Sequence, residues 1–207
     1  MKILTILFAV LFLGFLAIQI FTAKSQRNIE THTYAVLEKY NSFEIRKYEA
    51  TLFTTVNLRT KNYKKASTKG FSLLAGYIFG NNKRNEKIAM TSPVTMSLGD
   101  SITMMFMVPK KYKRENLPEP VQSEIQFRKE PARKVAALTF GGWANDAKIA
   151  RYKKQLTTAL KREGIVHTGQ FYFLGYNPPY EVFQRKNEVL VELTTDALDL
   201  ISKKKED

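Results

Sequence analysis

Cysteine is absent from this 207-residue chain. That excludes a disulfide scaffold, a thiolate metal site and a cysteine nucleophile, while fitting an oxidising and a reducing compartment equally. Histidine is nearly absent: His32 lies near the start of the domain, and His167 follows a helical stretch. No histidine pair has zinc-ligand spacing, and no thiols are present to complete such a site. There is no G-x-S-x-G, H-E-x-x-H, P-loop or G-x-G-x-x-G, so the common hydrolase, zincin and nucleotide-binding signatures are missing. Acidic residues are outnumbered, 19 against 33 Lys and Arg, for a formal charge of +14. Such a charge admits nucleic acid or anionic lipid as a partner. The lysines are scattered, however, as at Lys61, Lys64, Lys65, Lys110, Lys111, Lys153 and Lys154. No recognition-helix or aromatic RNA-binding pattern accompanies them, so nucleic acid is not an expected partner.

What is present begins with an apolar run. Ile3 to Ala23 carries no charge, with Lys2 before it and Lys24 and Arg27 after it. A helix of that length is ~30 Å long, enough to cross a bilayer core. A cleaved signal usually has a shorter apolar region and small residues before the cut. Ile20 and Phe21 are bulky there. An uncleaved anchor with an exported domain, periplasmic or extracellular, is therefore preferred, with secretion after cleavage as the alternative. The organisation expected is an anchor or signal segment at 1–24, a polar linker at 25–33, a domain at 34–195 and a solvated tail at 196–207.

The domain repeats itself. RKYEATLFTTV (Arg46 to Val56) and RKEPARKVAAL (Arg128 to Leu138) are strand-like, and a helical stretch follows each. Asn62 and Asn145 are the expected caps. Tyr63, Ala66, Phe71, Leu74, Tyr77 and Ile78 form one helical stripe, and Ile149, Tyr152, Leu156 and Leu160 the other. Gly80 and Gly164 stop them. Strands are expected at Lys87 to Met96, Ile102 to Val108, Gln170 to Tyr176 and Glu188 to Thr194. Duplicated strand-helix-strand-strand units imply an α+β fold with two helices on a mostly antiparallel sheet.

The stretch GFSLLAGYIFGNNKRNEKIAMTSPVT (Gly70 to Thr95) is the most informative. It is preceded by FEIRKYEA (Phe43 to Ala50). It is followed by FMVPKKY (Phe106 to Tyr112), LPEP (Leu117 to Pro120), FGG (Phe140 to Gly142), LGYNPP (Leu174 to Pro179) and RKNEV (Arg185 to Val189). In this order the segments resemble the SOUL heme-binding protein family, over roughly Tyr34 to Leu193. The resemblance implies a distorted antiparallel β-barrel with two helices, related to bacterial effector-binding domains. It also implies non-covalent binding of heme or another tetrapyrrole in an apolar groove beside the first helix, with no other metal.

Carried over by position, Phe71, Leu74, Ala75, Ile78 and Met90 are the implied groove residues. Tyr180 and Phe183 would form the far rim. Arg46, Lys64, Lys69 and Lys83 could pair with propionates. Some family members have a histidine proposed as iron ligand in the E-I-R-x-Y segment; the matching position here is Lys47. Iron ligation is therefore not expected to dominate. Met104, Met105 and Met107 alternate along one strand and fit core packing as well as a ligand. Two other classes stay open: a module for a different amphipathic small molecule, and a small hydrolase using a groove carboxylate such as Glu44, Glu49 or Glu181. No catalytic constellation supports the second.

Overall fold

The computed structural model describes residues 29–178 and 181–194, together with residues 3, 4, 6–8, 10 and 12–14 near the N-terminus. Those near the N-terminus are helical, with exposed apolar side chains. Among the described residues no helix is long and apolar enough to cross a membrane. Most of the expected anchor, the 24–28 segment and the 195–207 tail lie outside the described residues.

The domain runs β1 (Tyr34–Lys39), β2 (Glu44–Tyr48), β3 (Thr51–Leu58), α1 (Tyr63–Ile78), β4 (Val94–Leu98), β5 (Ile102–Met107), β6 (Ile125–Glu130), β7 (Arg133–Gly141), α2 (Asp146–Arg162), β8 (His167–Gly175) and β9 (Lys186–Leu193). A 3-10 turn, Arg114–Asn116, precedes β6. All strands belong to one antiparallel nine-stranded sheet, ordered β1-β2-β7-β9-β8-β4-β5-β3-β6. It curls into a half-barrel with edges at β1 and β6.

The strand order carries the duplication. Read outward from the β8–β4 pair, β9, β7 and β2 on one side match β5, β3 and β6 on the other. The leading strand of each unit thus leaves its own half: β2 pairs with β7, and β6 pairs with β3. The expected strand-helix-strand-strand units are present as β3-α1-β4-β5 and β7-α2-β8-β9, each with one further strand ahead of it. Each expected leading strand is two, broken at Glu49–Ala50 and at Pro131–Ala132. The chain must change sheet partners there, and Pro131 has no N–H to extend a ladder.

Asn62 and Asn145 cap the two helices, their side chains accepting from the Lys65 and Lys148 amides. Asp146, in the first turn of α2, also accepts from the Tyr63 amide at 2.6 Å and from Asn62 Nδ2 at 3.1 Å. One carboxylate therefore serves the positive ends of both helices. The helices cover one sheet face. Ala66, Leu74, Tyr77 and Ile78 of α1 join Ile149, Leu156 and Leu160 of α2, with residues of the eight strands β2 to β9, in one core. Gly70 allows close packing: a Cβ there would stand 2.8 Å from Leu58 Cδ1 and 3.0 Å from Met104 Sδ.

The other face curls around Tyr48, Val135, Ala137, Tyr172, Leu174 and Leu190, with Phe53, Met105 and Met107 beside them. Glu30 to Thr33, expected as linker, is instead a strap on the domain. The Ser92 amide donates to Glu30 O, the Glu49 amide to Thr33 O, and Thr31 bridges Ser92. The His32 ring sits 4.7 Å from Tyr48 and 5.7 Å from Phe53.

A candidate ligand cleft at the C-terminal end of α1

The expected strand at Lys87 to Met96 forms only from Val94 onward. Ile88 to Pro93 pairs with no strand along its length, apart from the single bridge at Ser92. Its hydrogen bonds go elsewhere: the Ile88 amide donates to Ile78 O at 2.8 Å, and the Thr91 hydroxyl donates from Oγ1 to Met107 O at 2.7 Å. Between this segment, the end of α1 and the end of β5 lies a cleft. It is lined by Ile78, Ile88, Met90, Phe106, Val108 and Leu117, with Tyr77, Ala89 and Thr91 among its other contacts. Its cavity volume is about 10 Å³, room for about one water.

A buried asparagine shapes the turn that begins the cleft wall. Asn82 Nδ2 donates to Tyr77 O and Glu86 O, while Asn82 Oδ1 accepts from the Arg84 and Glu86 amides. The G-N-N turn thus ties the last turn of α1 to the segment leading into Ile88. Tyr77 Oη donates to Pro118 O at 2.8 Å, holding the far wall against the helix.

The implied groove residues divide on inspection. Ile78 and Met90 line the cleft. Phe71 is one ring behind it, edge-on to Phe106 with centroids 5.5 Å apart. Leu74 is wholly buried and Ala75 nearly so, and neither lines the cleft. Phe183 is exposed on the β8–β9 loop, and Tyr180 lies outside the described residues. Lys64, Lys69 and Lys83 are exposed.

Arg46 requires a correction: it is not at the lip of this cleft. Its neighbour Ile45 is in the core under the helices, so Arg46 points to the opposite face. There it is buried, 2.9 Å from Glu188 and 2.8 Å from Glu44. Tyr176 Oη and Thr139 Oγ1 donate to the Glu188 carboxylate, and Lys186 pairs with it. Burial alone would raise the Glu188 carboxyl, but the Arg46 guanidinium, with Tyr176 and Lys186, holds it below the usual range. Burial and the Glu188 charge push the Tyr176 hydroxyl well up, and burial pushes Tyr48 to about 12. Both remain hydrogen-bond donors at neutral pH. The network was readable only as a charged position inside the apolar strand N-E-V-L-V.

Neither histidine lines the cleft. His32 lies on the helix-free face with Nε2 2.9 Å from Glu49 O, and burial lowers its pKa. His167 opens β8, its Nδ1 accepting from the Gly169 amide. Among the described residues no three acidic or histidine side chains cluster to hold a metal. Glu44, one of the carboxylates considered as a base, is ion-paired with Arg46.

A family model described as SOUL heme-binding protein matches residues 29–192, from the strap to the last strand. The chain belongs to the SOUL family. Heme-binding protein 1 of Sus scrofa is 28% identical over 174 residues, covering 78% of this chain and 92% of that protein. Heme-binding protein 2 of Mus musculus is 29% identical over 157 residues, covering 72% and 76%. Among solved structures, the EcmrR C-terminal domain superposes with a TM-score of 0.59 at 9% identity, covering 78% of this chain and 98% of that one. A hydrolase from Listeria innocua reaches 0.54 at 8% identity, covering 76% and 94%. At such identities the likeness shows the fold alone. In this SOUL chain Met90 and Thr91 of the motif line the cleft, and the rest of the motif leads into β4.

Proposed function

We propose that this SOUL-family protein binds heme or a related tetrapyrrole, reversibly and non-covalently, in the cleft between the end of α1 and the Ile88–Thr91 segment. Its task would be transport, buffering or sensing. The observation that carries this reading is an apolar cleft walled by Met90 and Thr91 of the motif segment, in a chain whose curated relatives are named heme-binding proteins. The chemistry agrees. Aliphatic, thioether and aromatic side chains suit a flat macrocycle, and Lys87, exposed beside Ile88, offers a cation for a propionate. Without cysteine, attachment through thioether bonds is excluded. Without a histidine in the lining, apolar contact supplies most of the affinity.

The domain is read as exported and tethered through the Ile3 to Ala23 run, with secretion after cleavage as the alternative. Membrane fractionation and N-terminal sequencing of the protein from its source distinguish the two.

Full-length protein is titrated with hemin and with iron-free protoporphyrin, followed by absorbance and fluorescence. The two are expected to bind within about tenfold of each other, about 1.4 kcal/mol. Ala89 lines the cleft yet is exposed, so Ala89→Trp should block the mouth without disturbing the core. Both ligands should weaken by about tenfold or more. Unchanged binding by this variant would move the site elsewhere. Loss of the hemin spectrum in His32→Ala or His167→Ala would replace apolar contact with iron ligation. Failure of both ligands on the unaltered protein would leave a site for another amphipathic molecule.

A further inference from the structure

The rim formed by the β7–α2 and β8–β9 loops exposes an aromatic surface that the cleft does not use. Trp143 is 52% exposed and Phe183 56%, with Val182 also exposed beside it. These side chains are carried by a braced surface. The Arg185 guanidinium lies 3.9 Å from the centre of the Trp143 ring. The same guanidinium donates to Pro178 O, Glu181 O and Asn177 O. Asn187 Nδ2 donates to Gly142 O at 2.7 Å, joining β9 to the other loop. One arginine and one asparagine therefore hold the two loops together while their largest apolar side chains face water. Exposed aromatics on a braced rim mark an interaction surface.

The position of this rim in the chain identifies its partner. Ser92, which receives the strap at Glu30 and Thr31, also donates from Oγ to Tyr176 O at 3.4 Å. Tyr176 begins the β8–β9 loop. The chain therefore enters the domain beside the aromatic rim. Only the residues from Lys24 to Asn28 separate Ile29 from the uncharged Ile3 to Ala23 run. Fully extended, they span about 20 Å. Lys24 and Arg27 lie in that connection; on the rim Lys148 donates to Gly141 O, Lys186 pairs with Glu188, and Arg185 braces the loops. The acidic groups here are engaged or buried: Asp146 caps α1, Glu188 is ion-paired, and Glu181 is buried. The whole chain carries +14, which favours an anionic surface.

We propose that this rim docks on an anionic phospholipid bilayer, with Trp143 and Phe183 entering the headgroup layer and Lys24 and Arg27 of the connection facing lipid phosphates. Tryptophan suits that layer because its ring is apolar and its N–H is a donor. The surface is separate from the tetrapyrrole cleft, and the proposal stands if the cleft reading fails. It shares with the anchor reading only the point where the N-terminal run joins the domain.

Trp143 is the only tryptophan in the chain, so intrinsic fluorescence of the full-length protein reports on the rim alone. The probes are vesicles of phosphatidylcholine, with and without phosphatidylserine, carrying bromine high on the acyl chains. Docking is expected to blue-shift Trp143 emission and quench it on the anionic vesicles. Phe183→Ser should lose most of the quenching while the protein still floats with the vesicles. Flotation with Trp143 unshifted and unquenched would overturn the docking face and leave the anchor intact. No flotation and no shift would overturn both. Equal quenching in Phe183→Ser would remove Phe183 from the contact and overturn the rim as drawn.

Discussion

At the scale of single residues, the Arg46–Glu188 pair shows how far a sequence reading reaches. FEIRKY places Phe43 and Ile45 toward the helices, so simple alternation turns Arg46 to the far side. Its placement at a propionate lip followed motif position instead of period. The pair is fully enclosed, and an unpaired buried charge is expensive. Arg46→Met should cost about 3–5 kcal/mol, with much of it recovered when Glu188→Leu is added. Urea unfolding of the single and double variants measures this. The pH dependence has a definite sign. Glu188 titrates lower in the folded protein than its ordinary value of 4.5. Its ionised form therefore stabilises the fold above that value, and the contribution is lost as pH falls through the lower folded value. Unfolding midpoints between neutral pH and acid should decline less steeply in Glu188→Gln than in the unaltered protein. Parallel declines would remove Glu188 from the acid response.

At the scale of elements, both helices were legible because each combines an asparagine cap, an apolar stripe and a glycine stop. Strand ends were less legible. Continuous β-type sequence through Glu49–Ala50 hid a change of sheet partner, because period-two patterning does not say which strand lies alongside. Ile88 to Pro93 read as strand for the same reason, although its hydrogen bonds go to α1, to the end of β5 and to the strap. The sharing of Asp146 between two helices could not be read at all, since it joins residues 83 positions apart. It has a measurable consequence. Asp146→Ala removes an acceptor from the first amide of α1 and the acidic residue from the first turn of α2. A loss of about 1–2 kcal/mol is expected, at the upper end for one cap. Thermal or urea unfolding checks it. A change below a few tenths of a kcal/mol would mean that solvent satisfies the Tyr63 amide as well.

At the scale of the whole molecule, the motif order identified the fold, and the repeated strand and helix patterns independently gave its duplication. The cleft was legible only in part. Ile78 and Met90 line it, whereas Leu74 and Ala75 face inward because the stripe they belong to is the core stripe of α1. Helical periodicity marks the buried face, and the cleft lies where that face runs off the end of the helix. The cavity volume of the cleft, about 10 Å³, is far below the ~300–1,000 Å³ of small-molecule pockets. A tetrapyrrole therefore needs the Ile88–Thr91 wall to move outward. Thr91 Oγ1 to Met107 O is one of the bonds holding that wall shut. Thr91→Val keeps the shape and removes the bond, which should cost about 1 kcal/mol of stability. If the closed wall is what binding works against, the same change should tighten protoporphyrin binding by about fivefold, because the competent state is more populated. Calorimetry and fluorescence titration on one preparation read both quantities. Lower stability with weaker or unchanged affinity would mean that the ligand enters without displacing this wall. Lower stability with tighter affinity would identify the Ile88–Thr91 segment as the gate of the cleft.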